Sequence, residues 1–175
     1  MSLATEALLI GSYAAQLRDV LPPWRHGQVG DVDLVCTRRA ATWIMGLFGA
    51  PVVEHAPDRC FRIGRDGQKH IDMDLRGHLL PLAREWADPM AIEINGIRIE
   101  CLVAQPALIL ALRAASADVV PKARAKAAAD VDAYRASGVT VPDRLARVAL
   151  AFRKPGDTAR RPHLHKLKEE TCIIS

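Results

Sequence analysis

Residues 91–102 read AIEINGIRIECL, and this stretch constrains the fold more than any other. Apolar and polar side chains alternate on both sides of Asn95-Gly96, the period of a strand with one face buried. Asn-Gly tolerates the positive φ angles that a two-residue hairpin turn demands. The segment therefore predicts an antiparallel hairpin, and a hairpin needs more sheet, or a helix, to cover its apolar face.

The rest of the first 104 residues supplies both. TEALLIGS is a short apolar strand ended by Gly11, and YAAQLRDVL continues as a helix that PPW breaks. RHGQVG is a loop. DVDLVC alternates, with Asp31 and Asp33 on one face and Val32 and Leu34 on the other. Thr37 caps a helix over RRAATWIMGLFG, closed by Gly46 or Gly49. RCFRI and KHIDMDL form a second hairpin around Asp66-Gly67, with His70, Asp72 and Asp74 opposite Ile71, Met73 and Leu75. LLPLAREW reads as a short helix.

After Gln105 the pattern turns helical. QPALILALRAASA and PKARAKAAADVDAYRAS each open on a proline suited to a first turn, Gly138 ends the second, and PDRLARVALAFRK makes a third. Strands followed by helices predict an α+β, or mixed α/β, fold. The expected organisation is a core over 1–104, a helical part over 105–153 and a polar basic tail over 154–175.

A chain of 175 residues, half apolar and a quarter charged, is globular and not fibrous or disordered. No signal peptide or membrane-spanning run is read in it, and its four cysteines show no CxxC or metal-ligand spacing. The expectation is a cytoplasmic protein with reduced thiols and no membrane partner. The formal charge of +4 is concentrated in the tail, which carries six Lys/Arg against three Asp/Glu from Arg153 onward. Such a tail suits solvent, or an RNA partner.

The acidic residues carry the chemistry. Asp31 and Asp33 stand side by side on one strand, and Asp72 or Asp74 can reach them if the two strands are neighbours. Clustered carboxylates repel unless a cation sits among them, and Mg²⁺ accepts one or two carboxylates with water and phosphate. Two such ions would activate an attacking oxygen and stabilise a leaving pyrophosphate. Gly11 lets backbone approach an anion, and Ser12 adds a hydroxyl donor. An acid cluster beside a phosphate turn is equipment for moving a nucleotidyl group.

Taken in order, LLIGSY, GDVDLV and HIDMDL resemble the DNA polymerase beta-like nucleotidyltransferase superfamily, in particular its small bacterial and phage-type minimal members. The likeness spans roughly residues 6–136. Arg25 matches an arginine that precedes the Asp-x-Asp in those members, and Lys126 and Asp130 match a Lys-x-x-x-Asp helix. The resemblance implies a small twisted mixed sheet with helices and a short helical C-terminal part. It implies that Gly11 and Ser12 hold the triphosphate, with Arg113 and Lys126 as further nucleotide-binding residues. Asp31 and Asp33 would ligate two Mg²⁺ ions, and Asp72 would complete the site and polarise an acceptor hydroxyl. Asp74 is the second choice for Asp72. Arg113 stands where the family has a lysine, and RAASA lacks a histidine common shortly after it.

The expected activity is transfer of a nucleoside monophosphate from an NTP such as ATP to a hydroxyl of a small molecule, RNA or protein. The alternative is a catalytically silent module of antitoxin or regulator type, acting through a protein or RNA partner. Other features have plainer readings: the HLH at 163–165 as a surface pair, Arg38 and Arg39 as first-turn helix charges, and Trp24, Trp43 and Trp86 as packing residues. The terminal CIIS matches a prenylation box by chance. The residues leave oligomeric state open.

Overall fold

The computed structural model describes residues 3–27, 29–49, 52–56, 60–65, 67–117 and 121–152, and of residues 3–4, 52–56, 117 and 121–126 the backbone alone. The expected hairpin forms as β6 (Ala87–Ile94) and β7 (Ile97–Ala104), with Ile94 paired to Ile97 across the two-residue turn. Asn95 and Gly96 take φ of 51° and 80°, the left-handed pair that such a turn requires. Ile92, Ile94 and Ile99 are buried, while Glu93 and Arg98 face solvent.

Five more strands extend the sheet: β1 (Leu3–Ile10), β2 (Asp31–Cys36), β3 (Val52–Ala56), β4 (Cys60–Ile63) and β5 (His70–Asp74). The order is β3-β4-β5-β2-β1-β7-β6, with β2–β5 and β1–β7 parallel and the other pairs antiparallel. With its helices this is the mixed α/β, α+β architecture expected. Central β1 buries Ala7, Leu8 and Leu9 on both faces, so its apolar run does not alternate. On β2, β5 and β4 one face is apolar throughout: Val32, Leu34, Ile71, Met73 and Ile63 are all buried. The opposite face carries the acids.

The helices differ from expectation mainly at their ends. α1 (Gly11–Leu17) stops earlier than the apolar spacing predicts. The Val20 N–H bonds the Ala15 carbonyl and the Asp19 N–H bonds Gln16, with Asp19 at φ 54°. This is a Schellman closure with aspartate in glycine's usual place. Arg18 then leaves the helix to bond Asp88 and the carbonyls of Val103 and Ala104, tying α1 to the β6–β7 hairpin. α2 (Arg38–Phe48) is capped by the Thr37 hydroxyl, which accepts from the Ala40 N–H, and Gly49 is the glycine that closes it. LLPLAREW contributes the one-turn α3 (Leu80–Ala83) between two short 3-10 turns. β3, an edge strand, has no alternating signature that singles it out.

The chain divides into two compact units, Met1–Ile109 and Leu110–Ser175, the boundary falling within α4 (Pro106–Ala117). The first holds the sheet. The second contains α5 (Pro121–Ala136), ended by Gly138 at φ 81°, and α6 (Asp143–Ala151). Among the described residues no helix is long and apolar enough to cross a membrane. The HLH pair, the basic tail and CIIS lie outside the described residues.

Candidate functional site

The site is set by register. Antiparallel pairing places Asp33 opposite Ile10 at the end of β1, and parallel pairing places Asp72 opposite Asp33. Arg62 on β4 is opposite Asp72, and Asp31 is opposite His70. Ile10, Asp33, Asp72 and Arg62 thus form one row across four strands, with Asp31 and His70 one step away on the same face. Two carboxylates directly opposite each other destabilise a sheet unless a counter-charge joins them.

That charge is Arg62. Its Nε donates to Asp72 Oδ1 at 2.6 Å and its Nη2 to Asp72 Oδ2 at 2.5 Å, a bidentate fork. The same Nη2 lies 3.9 Å from Asp31 Oδ2. The hydrogen bonds to Asp72 hold the guanidinium above the ordinary arginine range, assisted by the charges of Asp72, Asp31 and Asp33 and opposed by partial burial. His70 Nδ1 stands 3.8 Å from Asp31 Oδ1. A Cβ at Gly64 would collide with the His70 ring, so glycine there makes room for it.

The Gly-Ser turn meets the acids directly. Gly11 has φ 72°, and a Cβ on it would collide with Asp33 Oδ2. Glycine is required twice over: for the backbone angle and for the carboxylate packed against it. Next to it the Ser12 hydroxyl accepts a 2.6 Å hydrogen bond from Arg25 Nη2. Arg25 sits in a 3-10 turn (Pro23–Arg25) and is buried, so a guanidinium is built in behind the Gly-Ser turn. Trp24 beside it is 53% exposed and so lies at the surface, not in the core.

Of the sequence-predicted residues, then, Gly11, Ser12, Asp31, Asp33 and Asp72 gather in the first unit. Asp74 lies on the same face but is held by Arg76, two residues along the chain. Arg113 belongs to the second unit, where its Nε lies 3.3 Å from Oδ2 of the buried Asp130. The Lys126 side chain lies outside the described residues. Sequence reasoning missed Arg62 and His70. Period-two alternation in RCFRI and KHIDMDL assigns both to faces, but only strand order brings those faces to Asp31 and Asp33.

Among the described residues no group of three or more His, Cys, Asp or Glu side chains is arranged to hold a metal ion. The oxygen donors of Asp31 and Asp33 fit Mg²⁺, which needs only one or two carboxylates when phosphate and water complete its shell. Asp72 is engaged by the Arg62 fork.

No protein-family model matches the chain, and no match is found among the curated proteins. Among solved structures the chain is similar to an antigenic nucleotidyltransferase-like protein from Paracoccidioides brasiliensis, at 16% identity and a TM-score of 0.49, over 94% of this chain and 84% of that one. At that level the likeness carries no inference about activity.

Proposed function

We propose that this chain is a Mg²⁺-dependent nucleotidyltransferase, moving a nucleoside monophosphate from an NTP to a hydroxyl of an acceptor, in the cytoplasm. The observation that carries this reading is the register that sets Asp33 against both Gly11 and Asp72. It unites three separate sequence motifs on one face. Ser12 and the buried Arg25 behind it bind the triphosphate through a hydroxyl and a fixed positive charge. Asp31 and Asp33 hold Mg²⁺, which when bound neutralises phosphate charge and favours departure of pyrophosphate. The acceptor oxygen bonds to the α-phosphorus as the bond to the β-phosphate oxygen breaks. Pyrophosphate leaves with the electron pair, and the hydroxyl proton passes to the Asp72 carboxylate. Catalysis is mainly positioning and charge neutralisation. The reading rests on the first unit alone, since Arg113 is engaged with Asp130 in the second.

A second reading has its own observation. The Arg62 fork on Asp72 occupies the carboxylate that would accept the proton, as in a silent module that binds nucleotide and acts through a partner. Calorimetry with ATP, GTP, CTP and UTP, with and without Mg²⁺, tests both. The enzyme reading expects metal-dependent binding of at least one NTP, lost in Asp33→Asn, and transfer of label to an acceptor in cell extract. Binding without transfer favours the silent module. No binding of any NTP overturns both.

A further inference from the structure

We infer that Arg62 is a built-in counter-cation of the carboxylate face, which a divalent ion must displace from Asp72 before all three aspartates can serve it. This deepens the nucleotidyltransferase reading and rests on it. Arg62 Nη2 is 2.5 Å from Asp72 Oδ2 and 3.9 Å from Asp31 Oδ2, so it lies where the two carboxylates converge. A divalent ion shared by Asp31 and Asp72 competes for that same place, and two cations cannot occupy it together. Without metal the fork relieves the repulsion between Asp72 and its register partner Asp33.

The neighbouring pair is built differently. Arg76 and Asp74 are both 16% exposed and lie two residues apart in the chain. Arg62 comes from a different strand and is 35% exposed, leaving its long stem room to turn outward. The planar guanidinium matches phosphate as well as carboxylate, so the triphosphate arriving with the metal offers Arg62 an alternative partner. Arg62 thereby couples metal entry to nucleotide entry, disfavouring a bare ion in the site.

The test uses Mn²⁺ as the probe on the full chain. In the absence of nucleotide, Arg62→Gln binds Mn²⁺ at least about tenfold tighter than wild type, because a competing charge has gone. Arg62→Lys, which keeps the charge without the fork, falls between them. Mn²⁺ also raises the Tm of Arg62→Gln more than that of wild type. A folded Arg62→Gln with wild-type Mn²⁺ affinity overturns the inference. Should the variant fail to fold, the Arg62 Nε–H resonance of wild type decides: it moves on addition of Mg²⁺ with NTP, and an unchanged signal overturns the displacement. The underlying reading fails separately. If neither protein takes up Mn²⁺, with or without each of the four nucleoside triphosphates, the metal-dependent activity falls together with this inference. If wild type takes up Mn²⁺ with nucleotide but Arg62→Gln gains nothing without it, only the inference falls.

Discussion

Asp72 and Asp74 sit two residues apart on the same face of β5, and an arginine grips both carboxylate oxygens of each. The grips differ in origin. Arg76 reaches back to Asp74 through its side chain and adds its own backbone N–H at 3.1 Å, so the end of β5 closes on itself. The next residue, Gly77, has no room for a Cβ against the Thr37 and Cys36 backbone, which seats this closure on the end of β2. Arg62 instead crosses from β4, and its carboxylate neighbours include Asp31, whose side chain is 51% exposed. A local, part-buried clamp holds a fold together; a clamp between strands at an open face can be exchanged for a ligand.

The largest expected effect follows from exchanging the two roles. Asp74→Asn weakens hydrogen bonds to a charged group and lowers stability by about 1–3 kcal/mol, while NTP binding stays within about twofold of wild type. Asp72→Asn costs less stability, because Arg62 can turn to solvent, and reduces nucleotidyl transfer by about 10²–10⁴, the usual worth of a general base. Thermal melts paired with a labelled-NTP transfer assay read both quantities. The opposite assignment of losses would break the comparison.

A smaller effect sharpens it. Burial foremost, then the charges of Asp74 and Cys60, push the Cys36 thiol up from 9.0 to about 12. In the unfolded chain the thiol loses its proton near 9.0, while the folded chain keeps it to about 12. Stability is therefore fully present below about pH 9 and falls as pH rises through that window, by about 1.4 kcal/mol per pH unit for this thiol. Buried Cys101, also pushed up to about 12, adds a similar fall that is independent of Asp74. Asp74→Asn lowers the Cys36 value and reduces the alkaline loss, whereas Asp72→Asn leaves it unchanged. Urea unfolding at about pH 8 and about pH 10 measures the difference.

The smallest effect belongs to a third arginine–carboxylate pair, Arg39 with Glu6. Arg39 is 71% exposed, and exposed ion pairs contribute roughly 0–1 kcal/mol. Arg39→Ala should change stability within that range and leave triphosphate binding unaltered. A tenfold loss of NTP affinity in calorimetry would instead make it part of the site, against its expectation as a surface charge.

Much of the fold was legible because it depends on local periodicity and turn chemistry. Asn95-Gly96, the Thr37 cap, the glycine end of α5 and the acid and apolar faces of β2 and β5 all follow from residues within a few positions of each other. The β4–β5 hairpin shows the limit. A two-residue turn at Asp66-Gly67 would pair Arg62 with Ile71, on the apolar face, whereas the observed register pairs it with Asp72. Asp66 itself lies outside the described residues. A shift of one residue in register exchanges every side chain between faces, and alternation is the stronger guide because burial enforces it. β3 and the early stop of α1 were not legible: the one lacks a pattern, and the other turns on Asp19 in the left-handed conformation that glycine, the usual stop signal, normally takes.

The choice between Asp72 and Asp74 divides the two sources of information most clearly. By itself the sequence determined that both carboxylates share a face, that Asp31 and Asp33 share another, and that Gly11 and Ser12 end a strand. Each statement needs only the two-residue repeat of a β-strand and the freedom of glycine. Only the tertiary structure decided that β5 lies parallel to β2, that Asp33 meets Asp72 and Gly11, and that Arg62 closes the row. Strand order is settled by which apolar faces bury together over the whole sheet, a collective quantity with no local signature. The charges on the opposite face are carried into place by that burial.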